Sequence, residues 1–235
     1  MANDFFQFKQ FRIDQGQCAM KVTTDGCLFG ALIALSGVER GILDIGTGTG
    51  LLSLMLAQRS SASITALEID PKAANQASLN FASSPWQARL QVRSQSLQTF
   101  SIDEGEEYFD TIVSNPPFFQ NHRRSGTAKD VAIHDDTLPQ ADLANAVERH
   151  LAPEGCFWVI YPDHQFLQFH QQMVDRGWAC TNETRIRNRP GEAIFRRVGA
   201  FRRVDSPTSV SEIVIRNHKG QYADAFQDLM DPYYL

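Results

Sequence analysis

Residues 43–52 read Leu43-Asp44-Ile45-Gly46-Thr47-Gly48-Thr49-Gly50-Leu51-Leu52, and this stretch decides the fold of the chain. Apolar residues, a glycine-rich turn and a second apolar run predict a buried strand over 42–46 followed by a helix over 50–59. Gly46 and Gly48 allow backbone conformations and ligand approach that a Cβ would block, and Gly50 allows close packing of helix on strand. The stretch therefore predicts a ligand-binding turn at the edge of an α/β sheet.

The residues around this turn favour one class of ligand over another. A dinucleotide site needs a third glycine where this chain has Leu51, and Asp44 would repel a pyrophosphate. The same carboxylate could hold the ammonium of an amino acid, directly or through water. S-adenosyl-L-methionine has an amino-acid tail and no phosphate, so we expect it as the cofactor, with a tight turn that binds nothing as the alternative. The cofactor-binding residues predicted here are Asp44, Gly46, Thr47, Gly48 and Gly50.

Further cofactor contacts are expected at the ends of the neighbouring elements. Glu68 ends the strand predicted over 63–69, about twenty residues after the glycines, where a carboxylate accepts ribose hydroxyls. A solvated strand end is the alternative for Glu68. Ser96 follows the strand predicted over 89–94 and is expected near the adenine of the cofactor. Thr24 or Asp25 is expected to cap a helix over 26–36, and Thr24 to contact the cofactor.

A second motif, Asn115-Pro116-Pro117-Phe118, follows the apolar strand predicted over 109–114. Proline removes backbone donors, so the Asn115 side chain and nearby carbonyls are left as acceptors. Such a site suits a planar group with an NH₂, stacked on the ring of Phe118. A rigid turn is the alternative, but with the glycine turn and Glu68 upstream the motif predicts methyl transfer to nitrogen, catalysed by these four residues.

The rest of the chain predicts how these motifs are arranged. Strands and helices alternate regularly from Gly41 on, which predicts a Rossmann-like, doubly wound α/β fold with a mainly parallel sheet. After Gly177 three strands follow one another, and we expect them to form an antiparallel edge. We expect one domain over 1–235, in which 1–37 is a small N-terminal extension that contributes to the site and 38–235 is the catalytic core. The remaining predicted elements are strands 155–161, 178–187, 194–204 and 210–216 and helices 71–83, 138–151, 163–176 and 221–230.

Composition excludes several other classes of protein. No apolar stretch approaches the roughly 20 residues that span a bilayer, so we expect no membrane association and a cytoplasmic location. The four cysteines form no Cys-x-x-Cys pair, so we expect reduced core thiols and no metal. A formal charge of −5 argues against binding nucleic acid over the whole surface but allows a local basic footprint. We expect a monomer.

Arginines are concentrated in residues 185–203, where seven of them stand against the single acid Glu192. Arg185, Arg187 and Arg189 alternate, so we expect them on one face of a strand, suited to phosphate contact. A charged edge strand that discourages aggregation is the alternative. The RNA contacts predicted here and elsewhere are Lys21, Arg123, Arg124, Lys129, Arg187, Arg189 and Arg197.

With these motifs in hand, the chain resembles class I S-adenosylmethionine-dependent methyltransferases that have an Asn-Pro-Pro-aromatic site. The blocks 8–13 and 20–26, and the close Asp231-Pro232-Tyr233-Tyr234-Leu235, are similar to those of bacterial tRNA(Val) adenosine-N6 methyltransferases. That resemblance implies a tRNA partner and N6-methylation of the adenosine 3′ of the anticodon. Phe118 departs from the tyrosine that is more frequent in adenine-directed enzymes, so guanine N2 of ribosomal RNA and a protein glutamine amide remain alternative acceptors. An RNA-binding module with a vestigial cofactor fold is the non-enzymatic alternative.

Overall fold

The computed structural model of the protein describes residues 4–101, 108–117 and 138–235. Its centre is an eight-stranded sheet, which confirms the predicted α/β class. The strands of this sheet are β3 (Gly41–Ile45), β4 (Ser63–Glu68), β5 (Leu90–Ser94), β6 (Phe109–Ser114), β7 (Leu151–Tyr161), β8 (Ala179–Arg187), β9 (Arg196–Arg202) and β10 (Ser209–Val214). A separate hairpin is formed by β1 (Phe5–Gln7) and β2 (Arg12–Asp14).

Helices connect and cover these strands close to their predicted positions. The bounds are α1 (Thr24–Leu32), α2 (Leu51–Ala57), α3 (Pro71–Ala82), α4 (Gln140–His150), α5 (Asp163–Asp175) and α6 (Asp224–Met230). Asp70 caps α3 as predicted, because its Oδ1 accepts from the N–H of Lys72 at 2.9 Å. The predicted cap of α1 is wrong by one residue, since Thr23 accepts from the N–H of Gly26.

Strand order is β10-β8-β9-β7-β6-β3-β4-β5. The strands β5, β4, β3, β6 and β7 run parallel, and β9 pairs antiparallel with both β7 and β8. The prediction of an antiparallel edge is therefore correct for β8 and β9 but wrong for β10, which runs parallel to β8. The chain winds outward from β3 to β5 and returns on the other side of β3 with β6, so a topological switch point lies between β3 and β6.

Apolar side chains cover both faces of the sheet. Ile42 belongs to one buried cluster with α1, α2 and α6, whereas its neighbour Leu43 belongs to a second cluster with α4 and α5. Successive strand residues point to opposite faces, so the two clusters lie on opposite sides of the sheet. All four cysteines are buried and free, as predicted, and burial raises the pKa of each thiol to about 11 or 12.

The glycine turn after β3 has the backbone geometry that its sequence demands. Gly46, Gly48 and Gly50 have φ of 73°, 56° and 84°. A Cβ on Gly50 would lie 2.6 Å from Cε1 of Phe81, which faces it from α3. Gly50 is thus fixed twice, by its left-handed backbone and by the approach of the phenylalanine ring.

Replacing Gly50 by alanine is therefore expected to destabilise the protein more than replacing Gly37 by alanine. Gly37 has φ 85°, almost the same as Gly50, but a Cβ there meets no atom of the described residues within 4 Å. Left-handed strain costs about 1–2 kcal/mol at both sites, and overpacking adds about 1–3 kcal/mol at Gly50 alone. Urea unfolding of both variants measures the difference, and equal losses of stability would show that the Phe81 ring moves away freely.

The N-terminal hairpin is joined to the C-terminal residues. The N–H of Lys9 donates to the carbonyl of Tyr233 at 2.8 Å, and its Nζ pairs with Asp231 at 3.2 Å. The ring of Tyr234 lies 5.8 Å from that of Phe6 and 6.2 Å from that of Phe8. Two segments at opposite ends of the described chain therefore hold each other in place.

Candidate active site

A cavity of about 410 Å³ opens at the carboxyl ends of β3, β4 and β6, next to the switch point. Sheet register accounts for what lines it. Ile45 pairs with Ser114 on one side and with Leu67 on the other, so the residues that come directly after these three stand side by side. Gly46, Glu68 and Asn115 are those residues, and all three line the cavity. Three motifs far apart in sequence thus meet where α/β sheets bind ligands.

Asp44 lies beneath the glycine turn with 1 % of its surface exposed. Its Oδ2 accepts from Thr47 Oγ1 at 2.6 Å and from Ser53 Oγ at 2.7 Å and N–H at 3.2 Å. Its Oδ1 is buried and accepts no hydrogen bond within the described residues. A buried carboxylate oxygen without a donor fits the ammonium of an amino-acid tail, directly or through water. Thr47 acts on Asp44 by this hydrogen bond, whereas the sequence predicted it as a cofactor contact.

Because burial raises the pKa of Asp44 to about 6, cofactor affinity is expected to depend on pH. An ammonium is held by the ionised carboxylate, so affinity for S-adenosylhomocysteine should rise as pH increases through about 6. It should fall again above about 8, where an α-amino group loses its proton. Calorimetric titration between pH 5 and 9 measures this profile.

The folded protein holds the Asp44 proton more tightly than the unfolded chain, so the cofactor-free protein should lose stability as pH rises from about 4 to about 6.

Glu68 connects the second strand to the glycine turn. Its Oε2 accepts from the N–H of Gly48 at 2.8 Å and its Oε1 accepts from the N–H of Asp70 at 3.0 Å. Each oxygen retains a second lone pair, so the carboxylate can also accept hydroxyls from a ligand in the cavity. Glu68 therefore shapes the turn, and its predicted ribose contact remains a prediction.

Residues after β5 line the cavity differently from the prediction for Ser96. The Ser96 hydroxyl lies 3.1 Å from Thr99 Oγ1 and accepts from the Thr99 N–H at 3.3 Å, which closes a local turn. The cavity is lined instead by Gln95 and Leu97, which flank Ser96. Ser96 itself is not part of the cavity lining, because the turn directs its side chain toward Thr99, and its adenine contact remains a prediction.

The Asn-Pro-Pro motif leaves β6 at the floor of the cavity, where Asn115, Pro116 and Pro117 all form part of the lining. Asn115 Oδ1 is buried and accepts no hydrogen bond within the described part of the chain. Ser114, directly before it, donates its hydroxyl to the carbonyl of Ile45 at 2.9 Å and so ties β6 to β3. Asn115 is thereby held with an open acceptor beside the glycine turn. Phe118 lies outside the described residues.

The start of α1 packs against Asn115. A Cβ built on Gly26 would lie 3.5 Å from Asn115 Nδ2 and 3.2 Å from Leu51 Cδ2. A larger side chain at this position would therefore press on Leu51 and Asn115. Asp25, next to Gly26, pairs with Arg196 of β9 at 3.0 Å. Thr24, predicted as a cofactor contact, is half-buried in the first turn of α1 and does not contribute to the cavity lining.

The N-terminal extension contributes a wall that the motifs did not single out. Cys18, Ala19 and Met20 line the cavity opposite the sheet, and Leu138 adds an apolar side chain. Of these three residues only Met20 belongs to block 20–26, whose similarity to the tRNA(Val) methyltransferases could have indicated it, and Cys18 and Ala19 are residue types that are ordinary in any loop. Lys21, predicted to contact RNA, is half-buried and donates its Nζ to the carbonyl of Gln15.

The arginine-rich segment is largely paired with carboxylates. Glu183 accepts from Arg185 at 2.7 Å and from Arg197 at 2.6 Å, and Asp163 also accepts from Arg197 at 2.6 Å. Arg197 has 9 % of its surface exposed, so its guanidinium serves this ion-pair network and its prediction as an RNA contact is not retained. These pairs compensate the charge of Arg185 and Arg197, but the alternative interpretation of an edge strand does not apply to them, because β8 and β9 are each paired on both sides.

The other predicted RNA contacts have different surroundings. Arg187 pairs with Glu212 at 2.9 Å and is half-buried. Arg189 is exposed, but it lies beyond the end of β8, so it does not continue the row of Arg185 and Arg187 as predicted. The last three predicted contacts, Arg123, Arg124 and Lys129, lie outside the described residues.

No group of three or more His, Cys, Asp or Glu side chains in residues 4–101, 108–117 and 138–235 could hold a metal ion. No helix within these ranges is long and apolar enough to cross a membrane. The cavity lining includes a carboxylate, Glu68, two glycines of the turn, Gly46 and Gly48, and an amide, Asn115.

A family model and a solved structure show which fold family the chain resembles. Residues 27–176 match the model of the methyltransferase small domain family. The chain is 18 % identical to a solved structure described as a predicted O-methyltransferase from Agrobacterium tumefaciens, with a TM-score of 0.68 over 88 % of this chain and 95 % of that one. At this identity the likeness shows the fold.

Curated relatives match the whole chain. A tRNA1(Val) (adenine(37)-N6)-methyltransferase from Bacteroides fragilis is 38 % identical over 236 residues, which covers 100 % of this chain and 99 % of the relative. A protein of the same name from Trichodesmium erythraeum is 40 % identical over 239 residues with the same coverage. The methyl donor of this family is S-adenosyl-L-methionine, the cofactor expected from the glycine turn. The chain therefore belongs to the methyltransferase small domain family and, within it, to the tRNA1(Val) (adenine(37)-N6)-methyltransferase family.

Proposed function

We propose that the protein methylates the exocyclic N6 amine of adenosine 37 in tRNA1(Val), with S-adenosyl-L-methionine as methyl donor. The observation that carries this proposal is the buried, unpartnered Oδ1 of Asn115 in the wall of the cofactor cavity. An acceptor held there, with proline carbonyls beside it, suits a planar NH₂ group. The names of the full-length relatives supply the substrate that such a group belongs to.

Asn115 and Pro116 act by orientation in the reaction that we propose. The lone pair of an exocyclic amine is delocalised into the ring, so the amine is a poor nucleophile. Two acceptors, Asn115 Oδ1 and the Pro116 carbonyl, favour a pyramidal nitrogen whose lone pair faces the methyl group. S-adenosyl-L-methionine, when bound, supplies that methyl on a positively charged sulfur, which leaves as a neutral thioether. The nitrogen then releases one proton to water.

Cofactor and RNA contacts are assigned as follows in this proposal. Asp44 holds the ammonium, Gly46 and Gly48 let the ligand approach the backbone, and Glu68 accepts the ribose hydroxyls. Gln95 and Leu97 border the adenine, and Phe118 stacks on the target base. Lys21, Arg123, Arg124, Lys129, Arg187 and Arg189 contact phosphates, and the N-terminal extension 1–37 and the core 38–235 act as one catalytic domain.

Methyl transfer to defined RNA tests the proposal. Purified protein and labelled S-adenosyl-L-methionine are incubated with an unmodified tRNA1(Val) transcript and with a matched transcript in which adenosine 37 is replaced by guanosine. We expect N6-methyladenosine in the first transcript and no label in the second. In parallel reactions with ribosomal RNA or with total protein as the acceptor, N2-methylguanosine or labelled glutamine would keep the chemistry and replace the substrate. Bound cofactor without any transfer would support an RNA-binding module instead.

A further inference from the structure

Residues 14–22, which we name the strap, connect the N-terminal hairpin to the start of α1 across the cavity. Only Asp14 belongs to a strand, and the rest of the segment has turns and no regular pairing. Cys18, Ala19 and Met20 of the strap form one wall of the cavity. Such a segment has no ladder of backbone bonds to fix it, so its position depends on the side chains that bond to it.

Asn80 of α3 bonds to the strap and to the glycine turn together. Its Oδ1 accepts from the N–H of Asp14 at 3.0 Å, and its Nδ2 donates to the carbonyl of Asp14 at 2.8 Å and to that of Thr49 at 2.9 Å. Asn80 has 2 % of its surface exposed. One buried amide therefore joins the start of the strap to the glycine turn.

Two glutamines complete the attachment of the strap. Gln76, one turn before Asn80 on α3, accepts from the N–H of Gln17 at 3.3 Å. Gln15, inside the strap, accepts from the N–H of Val22 at 2.8 Å and so closes the segment on itself. Both glutamines are buried, with 5 % of their surface exposed. Burying an amide is costly unless it is hydrogen-bonded, so these side chains are stable where they lie only with the strap in place.

We propose that Gln76 and Asn80 are positioning residues for cofactor binding, which hold the strap against the cavity so that Cys18, Ala19 and Met20 cover the bound cofactor. This inference rests on the proposed function for the identity of the ligand. It adds that affinity and residence time are set partly by side chains of α3 that do not line the cavity. The cofactor enters and leaves when the strap detaches from α3.

Replacing Gln76 by methionine tests the proposal with little change in volume. The variant loses the acceptor for Gln17 and leaves the glycine turn and its bonds unchanged. Loss of one such bond should raise the Kd for S-adenosylhomocysteine about 3- to 10-fold and speed its dissociation by a similar factor. The effect should appear in KM for the cofactor, with kcat at saturating cofactor and KM for tRNA as in the wild type. Gln171→Met is the matched control, since Gln171 is exposed on α5.

The outcomes separate this proposal from the proposed function. If the wild type binds S-adenosylhomocysteine and Gln76→Met binds and releases it equally well, the strap does not set affinity and the proposal is overturned. A fall in kcat with unchanged Kd would also overturn it. If the wild type itself does not bind S-adenosylhomocysteine, the cofactor assignment fails and the proposal fails with it. Asn80→Ala removes the bonds to Asp14 and to Thr49, so it should bind S-adenosylhomocysteine more weakly than Gln76→Met does. Circular dichroism checks that Asn80→Ala folds.

Discussion

Replacing Asn115 by alanine is expected to slow methyl transfer by about 10²- to 10³-fold, the range seen when one preorganised polar partner of a reacting group is removed. Asn115 Oδ1 is the buried acceptor in the cavity wall, and alanine leaves the amine with nothing to orient it there. Gly46, Gly48 and Glu68 are untouched by this change. The affinities for S-adenosylhomocysteine and for tRNA should therefore remain within about 2-fold of those of the wild type.

Single-turnover kinetics with saturating cofactor measures this loss at the chemical step. Asn115→Asp retains an acceptor oxygen and should keep more activity than Asn115→Ala. Asn145→Ala is the control, because Asn145 is exposed on α4, bonds to Arg176 and does not line the cavity. A loss below 10-fold in Asn115→Ala, or an equal loss of cofactor affinity, would contradict the role in orienting the amine.

Replacing Asp44 by asparagine should weaken cofactor binding by about 30- to 100-fold while the fold is kept. Three donors from Thr47 and Ser53 converge on Oδ2, so the asparagine carbonyl will occupy that position. The asparagine NH₂ then replaces the unpartnered Oδ1 and presents a donor to the ammonium. A favourable charge pair becomes a contact between two donors.

Calorimetric titration with S-adenosylhomocysteine at pH 7.5 measures this effect, and thermal unfolding measures the cost to the fold. The cofactor-free variant should be as stable as the wild type or more so, because a buried charge has been removed. Asp228→Asn makes the same change of charge at an exposed position of α6 and should alter neither quantity. Parallel losses of stability and affinity in Asp44→Asn would indicate that Asp44 only supports the turn.

The sequence was sufficient to predict the parts of the site that depend on local backbone geometry. Gly46, Gly48 and Gly50 have positive φ, a requirement that glycine meets without strain, so their spacing identifies the turn. Asn115 was predicted from its proline motif and Glu68 from its spacing after the glycines, and the register of the parallel strands brings both to one edge of the sheet. The short, mostly apolar runs that identify β3, β4 and β6 as buried strands are equally local.

The parts that could not be predicted depend on contacts between distant segments. The direction of β10 depends on its partner. It pairs with β8, which is already paired with β9 on its other side, and not with β9, which precedes it in the chain. Arg197 lies in an arginine-rich segment that is typical of RNA contacts. Its burial in an ion pair follows from the positions of Asp163 and Glu183, which only the fold reveals. Gln95 and Leu97 line the cavity and Ser96 does not, because Ser96 bonds to Thr99, three residues away, in a turn that many sequences could form.

The joined ends of the chain set an order for maturation during translation. The hairpin that carries the strap pairs Lys9 with Asp231, 222 residues further along the chain. At about 5–20 residues per second, a ribosome needs about 10 to 45 s to make the intervening polypeptide. During that time the glycine turn and β6 can form before the hairpin and the strap are fixed to the C-terminal residues. Competence to hold the cofactor is thus among the last properties the nascent chain acquires.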